Sequence, residues 1–175
     1  ENMGGLNVGC SEPLTIFYID DDGQDNGVGT LNNPLVSISN SITNLSSGDT
    51  VIVYPGTYEG NINFNDKSIV LASRILESGD TTYVASTIIE GAVTIGDDVD
   101  STALFKGFTI TGDFENRGIS IASDHNVIIE NVNVIDVGGI EVSGATTTIR
   151  NSKVSNNHHS TGGGIIIHDS NVELY

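Results

Sequence analysis

Val127-Ile128-Ile129-Glu130-Asn131-Val132-Asn133-Val134 is followed twenty residues on by Thr147-Thr148-Ile149-Arg150-Asn151-Ser152-Lys153-Val154. The same pattern occurs more loosely upstream as Ala103-Leu104-Phe105-Lys106-Gly107-Phe108-Thr109-Ile110. A second family runs alongside: Gly118-Ile119-Ser120-Ile121, Gly139-Ile140-Glu141-Val142 and Gly164-Ile165-Ile166-Ile167, with steps of 21 and then 25 residues between their first isoleucines. Short β-branched segments returning at such a period define a β-solenoid, in which each repeat buries its apolar face only by stacking on its neighbours. Two-residue alternation at Ile62/Phe64, Ile119/Ile121, Val132/Val134 and Ile165/Ile167 marks the side chains expected to point inward.

The corners between strands carry their own repeat. Asn131 and Asn151 follow matching strands, and Asn tolerates left-handed backbone, so an Asn ladder is expected there, with Gly107 and Gly91 at the same corner of earlier copies. One position before that corner stand Glu90, Lys106, Glu130, Arg150 and Glu173. Strands stacked about 4.8 Å apart would make these alternating charges outer-surface neighbours that pin the register of the coils.

Outward from this repeat, the chain is read in three parts. Residues 1–14 are Gly- and Asn-rich and form a tail or linker; their first residues carry no charged-then-apolar leader, which fits a mature or trimmed chain. Residues 15–50 form an amino-terminal cap: a strand at Thr15–Ile19, an acidic loop over 20–27, and a short amphipathic helix whose stripe is Leu35, Ile38, Ile42 and Leu45. Pro34 and Gly48 punctuate its ends. Such a helix covers the first coil, whose edges would otherwise face water. Residues 51–175 are coils, and the sequence stops within a strand-like copy at 171–175, so either the last coil is bare or the natural chain continues. A bare end would invite self-association through the solenoid end.

The charge is strongly asymmetric: 23 acidic against 6 basic residues, net −17. Nine acids and no base precede Lys67. Such a surface disfavours nucleic acid and anionic membranes and favours cations. No run approaches the apolar length of a membrane helix. Cys10 is alone, so no internal disulfide forms; it reads as an incidental thiol.

Four stretches resemble a known family: Phe17-Tyr18-Ile19-Asp20-Asp21-Asp22-Gly23, Asn33-Pro34-Leu35, Gly48-Asp49-Thr50-Val51-Ile52-Val53-Tyr54-Pro55-Gly56-Thr57-Tyr58, and Gly107-Phe108-Thr109-Ile110. They are similar to the amino-terminal part of secreted right-handed parallel β-helix proteins of the pectate-lyase-like superfamily. The resemblance implies an all-β fold, a three-sided coil with a capping helix, and an extracellular or cell-surface setting. It spans lyases, hydrolases, tailspikes and adhesins alike, and no catalytic motif of the family carries over residue by residue. In the family's lyases the groove lies on one sheet with calcium-binding acids and a basic residue. The corresponding sheet here is 118–122, 139–143 and 163–168, with Ser120, Glu141, Ile166 and His168 outward.

Asp20, Asp22 and Asp25 are a candidate calcium site together with backbone carbonyls, although the spacing misses the helix-loop-helix calcium loop, whose first ligand position is taken by Tyr18; the alternative is a solvated turn. His158, His159, His168 and Asp169 form the His-rich region, suited to a transition metal or a general base, against the alternative of loop or surface histidines, since no carboxylate stands at catalytic spacing from them. Glu141 with Arg150 and Lys153, and His168 nearby, form a candidate elimination base and charge neutraliser, with Arg150 expected on a different face. Asn44-Leu45-Ser46 matches an N-glycosylation acceptor, but Leu45 belongs to the helix stripe, which sets the match aside. The expected function is an extracellular surface, adhesion or assembly module binding polysaccharide, a cell-surface glycan or calcium. The alternative is part of a secreted polysaccharide lyase or glycoside hydrolase.

Overall fold

The computed structural model describes residues 15–24, 26–96 and 98–175. The chain enters as β1 (Ile16–Gln24), followed by α1 (Ile38–Thr43), and then winds. The first coil is β2 (Thr50–Val53), β3 (Gly56–Glu59) and β4 (Ile62–Asn63). The second is β5 (Val70–Ser73), the one-turn helices α2 (Ile75–Ser78) and α3 (Thr82–Ser86), β6 (Thr87–Glu90) and β7 (Val93–Ile95). The third is β8 (Leu104–Lys106), β9 (Thr109–Thr111) and β10 (Ile119–Ile121). The fourth is β11 (Asn126–Glu130), β12 (Asn133–Ile135) and β13 (Ile140–Ser143). The fifth is β14 (Thr146–Arg150), β15 (Lys153–Ser155) and β16 (Ile165–His168), after which β17 (Asn171–Leu174) starts another turn.

Equivalent strands of successive coils pair in parallel, which makes a three-sided parallel β-helix. The first sheet runs β1-β2-β5-β8-β11-β14-β17, the second β3-β6-β9-β12-β15, and the third β4-β7-β10-β13-β16. Inward side chains form rows along the axis. Val51, Leu71, Phe105, Ile129 and Ile149 line the first sheet, and Ile62, Val93, Ile119, Ile140 and Ile165 the third. Phe64, Phe105 and Phe108 fill the middle of the core; the rings of Phe105 and Phe108 stack with centroids 4.8 Å apart. Ile165 packs against the core from the edge strand β16, while Ile167 of that strand is 46% exposed.

At the amino-terminal end Ile38, Ile42 and Leu45 are buried in the same core, where the stripe places them. The helix itself is shorter than the stripe. Leu35 lies outside it and bridges β1 at Ile19 and Gln24, and the Ser37 side chain accepts from Asn40 N to start the helix one turn later. Its last carbonyls are held by the Lys67 ammonium, 2.7 Å from Ile42 O and 2.9 Å from Thr43 O. The acidic run, expected as a loop, continues β1 as far as Gln24.

The corner after the first sheet stacks Gly107, Asn131 and Asn151, all left-handed at φ 85°, 53° and 51°. Gly91 is not part of it. Gly91 lies at the corner after the second sheet, where its N–H donates to Thr111 O while Gly60 N–H donates to Glu90 O. The charge ladder is shorter than the sequence implies for the same reason. Glu90 ends β6 in the second sheet, and Glu173 pairs with Thr148 instead of Arg150. What remains is Lys106–Glu130–Arg150, with the Glu130 carboxylate 3.4 Å from Lys106 Nζ and 2.9 Å from Arg150 Nη2.

Burial alone would raise the Glu130 pKa, but the Arg150 hydrogen bond and the Lys106 charge outweigh it and hold the carboxyl below its ordinary range. A depressed folded-state value stabilises the fold above the ordinary glutamate value of about 4.3, and that contribution is lost as pH falls through the folded value. Glu130→Gln should therefore lower stability at neutral pH by about 0.5–1.5 kcal/mol. In urea unfolding the gap to wild type should close progressively below about pH 4; a pH-independent gap would mean that the charge is not what matters.

Candidate functional site

The corner between the second and third sheets varies in length from coil to coil. Ile89 to Val93 is four residues, whereas Ile110 to Ile119 is nine and Val154 to Ile165 is eleven. The surplus makes two projecting loops, 112–118 and 156–164, beside short corners. Gly60 and Gly91 keep their corners tight: a Cβ on Gly91 would lie 2.4 Å from Gly60 O. The step between these flat corners and the 112–118 loop is a cleft of about 570 Å³. Asn61, Glu90, Thr111, Asp113 and Asn116 supply its polar lining. Among the described residues, no lysine, arginine or histidine lines it. Glu90 stacks in register on Glu59 and beneath Thr111, so two like charges neighbour each other at its edge.

Arg117 holds the projecting loops in place. It is buried, and its guanidinium reaches the next two coils. Nε donates to Glu141 Oε2 at 3.0 Å, Nη1 to Gly138 O at 2.6 Å and Gly162 O at 2.5 Å, and Nη2 to Thr161 Oγ1 at 2.6 Å. The planar fork explains the residue type, because five fixed donors serve acceptors that a single ammonium could not. Across the loop tips Phe114 and His158 meet edge to face, centroids 6.1 Å apart.

Glu141 takes the outward place expected for it, in the row Asn63–Thr94–Ser120–Glu141–Ile166 of the third sheet. Its second oxygen is 3.7 Å from His168 Nε2. His159 joins the group through Thr161, whose hydroxyl is 2.9 Å from His159 Nδ1. A shallow, mostly apolar groove of about 140 Å³ runs beside Glu141 over Thr94, Ser120, Ala122 and Ser143. Asp169 is exposed at a left-handed corner, φ 47°, and joins no cluster among the described residues.

The grouping of Glu141 with Arg150 and Lys153 does not form. Arg150 lies on the first sheet, engaged by Glu130, and Lys153 on the second beside Asn133, because each coil spends one strand on each face. At the cap, the carboxylates of Asp20, Asp21 and Asp22 come within 4.8 Å of one another and could hold a divalent cation; Asp25 lies outside the described residues, as does Cys10. Behind them Tyr58 donates to Tyr54 O at 2.9 Å, and burial, reinforced by the charges of Asp21 and Asp20, pushes its phenol far above the ordinary range.

Arg117, Asp113 and Asn116 were not picked out by sequence. The readable signal is loop length: 112–118 is surplus to the repeat, and Arg117 is the one basic residue in it. No family model matches the chain, and no curated protein or solved structure matches it.

Arg117→Ala strips a buried cation from four acceptors and should cost about 2–4 kcal/mol. Arg117→Lys should restore only part of this. Urea denaturation reads both; a loss under about 0.5 kcal/mol for the alanine variant, typical of an exposed pair, would refute the clasp.

Proposed function

We propose that the protein is an extracellular surface or adhesion module, related to the pectate-lyase-like β-helix proteins, that binds polysaccharide at the corner between its second and third sheets. The observation that carries this is the cleft of about 570 Å³ lined by carboxylates and amides. Carboxylate and amide oxygens accept from sugar hydroxyls in pairs, amide N–H groups return the bond, and a concave site of this size takes a short oligosaccharide. The lining has no base and the chain carries −17, so uronate-rich glycans are repelled. Neutral glycans are accommodated, and protonated amino sugars are favoured beside the Glu59–Glu90 stack.

Binding to immobilised cellulose, chitin, chitosan and polygalacturonate, at low and physiological salt, tests the reading. Amino and neutral glycans should be retained, with the amino glycan weakening as salt rises. Glu90→Gln combined with Asp113→Asn should weaken retention about tenfold or more, one to two charged hydrogen bonds' worth. Unchanged retention of that variant, or preference for polygalacturonate without calcium, would overturn the assignment. Calcium at Asp20, Asp21 and Asp22 belongs to the same proposal: at millimolar calcium, where extracellular modules operate, the melting midpoint should rise for wild type and not for Asp20→Asn/Asp22→Asn.

The second reading, part of a polysaccharide lyase or glycoside hydrolase, draws on Glu141 poised between Arg117 and His168 beside the third-sheet groove. Release of unsaturated uronates or new reducing ends, abolished by Glu141→Gln, would favour it.

A further inference from the structure

We propose that Asn44 is an acceptor for N-linked glycosylation, an inference that rests on the extracellular setting proposed above. Asn44-Leu45-Ser46 has the required form, an Asn followed two residues later by Ser with a residue other than Pro between. Within a helix the match would be idle, since residues two apart point to opposite sides and cannot enter one active site together. The fold removes that obstacle. α1 ends at Thr43 and Asn44 is its C-cap, so the triplet forms the exit turn. Leu45 is buried in the core, while Asn44 and Ser46 on either side of it are exposed. The in–out alternation presents the amide and the hydroxyl to the same solvent.

The turn is held by groups other than those two side chains. Asp49 Oδ2 accepts from Ser46 N at 2.9 Å, Ser46 O accepts from Asp49 N at 3.1 Å, and Lys67 secures the carbonyls of Ile42 and Thr43. Among the described residues, no hydrogen bond engages the Asn44 amide group or Ser46 Oγ, so modification breaks nothing. Asn44 itself lines a cleft of about 420 Å³, with Phe17, Leu35, Val36 and Asn40 also in its lining. The first sugar of an attached glycan has an apolar floor there to cover.

The chemistry is a glycosyl transfer from an oligosaccharide carried on a polyprenyl phosphate or pyrophosphate. Asn44 Nδ2 forms a bond to C1 of the first sugar, the bond from C1 to the phosphate oxygen breaks, the lipid phosphate leaves with the electron pair, and the amide nitrogen gives up one proton. No oxidant or reductant enters.

The test exports the full chain from a host that N-glycosylates its secreted proteins, with a resident glycoprotein as control, and reads the Asn44 peptide by mass. The wild type should gain whole sugar residues there. Asn44→Gln and Ser46→Ala should abolish the gain, and Ser46→Thr should keep it. As a second measurement, purified folded chain is incubated with membranes carrying the transferase and its lipid-linked donor. An unmodified Asn44 in both arms, with the control modified, overturns the proposal. Location is read separately, by protease shaving of cells making the native protein. A native chain shielded inside the cell would sink the extracellular reading, while the acceptor result for the exported chain would stand.

Discussion

Parallel backbone hydrogen bonding places equivalent residues of successive coils about 4.8 Å apart, and every other feature of the molecule answers to that spacing. Inward, the spacing suits β-branched side chains, which pack on their own kind along the axis. The third-sheet row Ile62, Val93, Ile119, Ile140 and Ile165 is the result. At corners it demands the same left-handed turn coil after coil, which Gly107, Asn131 and Asn151 supply. Outward, it makes like charges costly neighbours, and Glu130 sits between Lys106 and Arg150 accordingly. Among the described strand pairings, Glu59 on Glu90 is the acid-on-acid exception, and Glu90 lines the cleft beside the 112–118 loop. A local rule broken without compensation is where function is best sought.

What the sequence made legible is what repeats. The two families of strands, the inward alternation and the Asn corner all recur at a period, and each stands where the period puts it. The errors arose where the period slips. Glu90 and Gly91 resemble Glu130 and Asn131 locally, yet residues 74–86 insert α2 and α3 between β5 and β6, so the copy counted as one face belongs to the next. Those helices left no trace because a single turn is too short for a helical stripe. Their place is set by tertiary contacts: the Arg74 guanidinium lies 4.7 Å from the Tyr54 ring centroid, and Val84 O accepts from Thr109 Oγ1.

The candidate sites were less legible for a related reason. A solenoid's chemistry sits in departures from the repeat, and a departure cannot be recognised by comparing copies. Glu141 and His168 stood in the repeat and were placed correctly on one face. Arg117 stood in a surplus loop, where nothing in the pattern says which acceptors a side chain will find. Its four partners come from residues 138 to 162, distant in sequence but within two coils in space.

The same geometry bears on how the projecting loops could serve binding. Each loop crosses neighbouring coils, so its backbone can be satisfied only by groups those coils leave free. Gly138 N–H donates to Asn116 O, and His158 N–H donates to Val137 O, which sews both loops onto the short fourth-coil corner. Arg117 then closes the arrangement through a network that excludes water from its own guanidinium. A wall so braced is organised before a ligand arrives, and little ordering entropy is spent when one does. Rigidity comes here from the coils beneath, which makes variation in loop length at this corner the economical way for a β-helix of this kind to change what it binds.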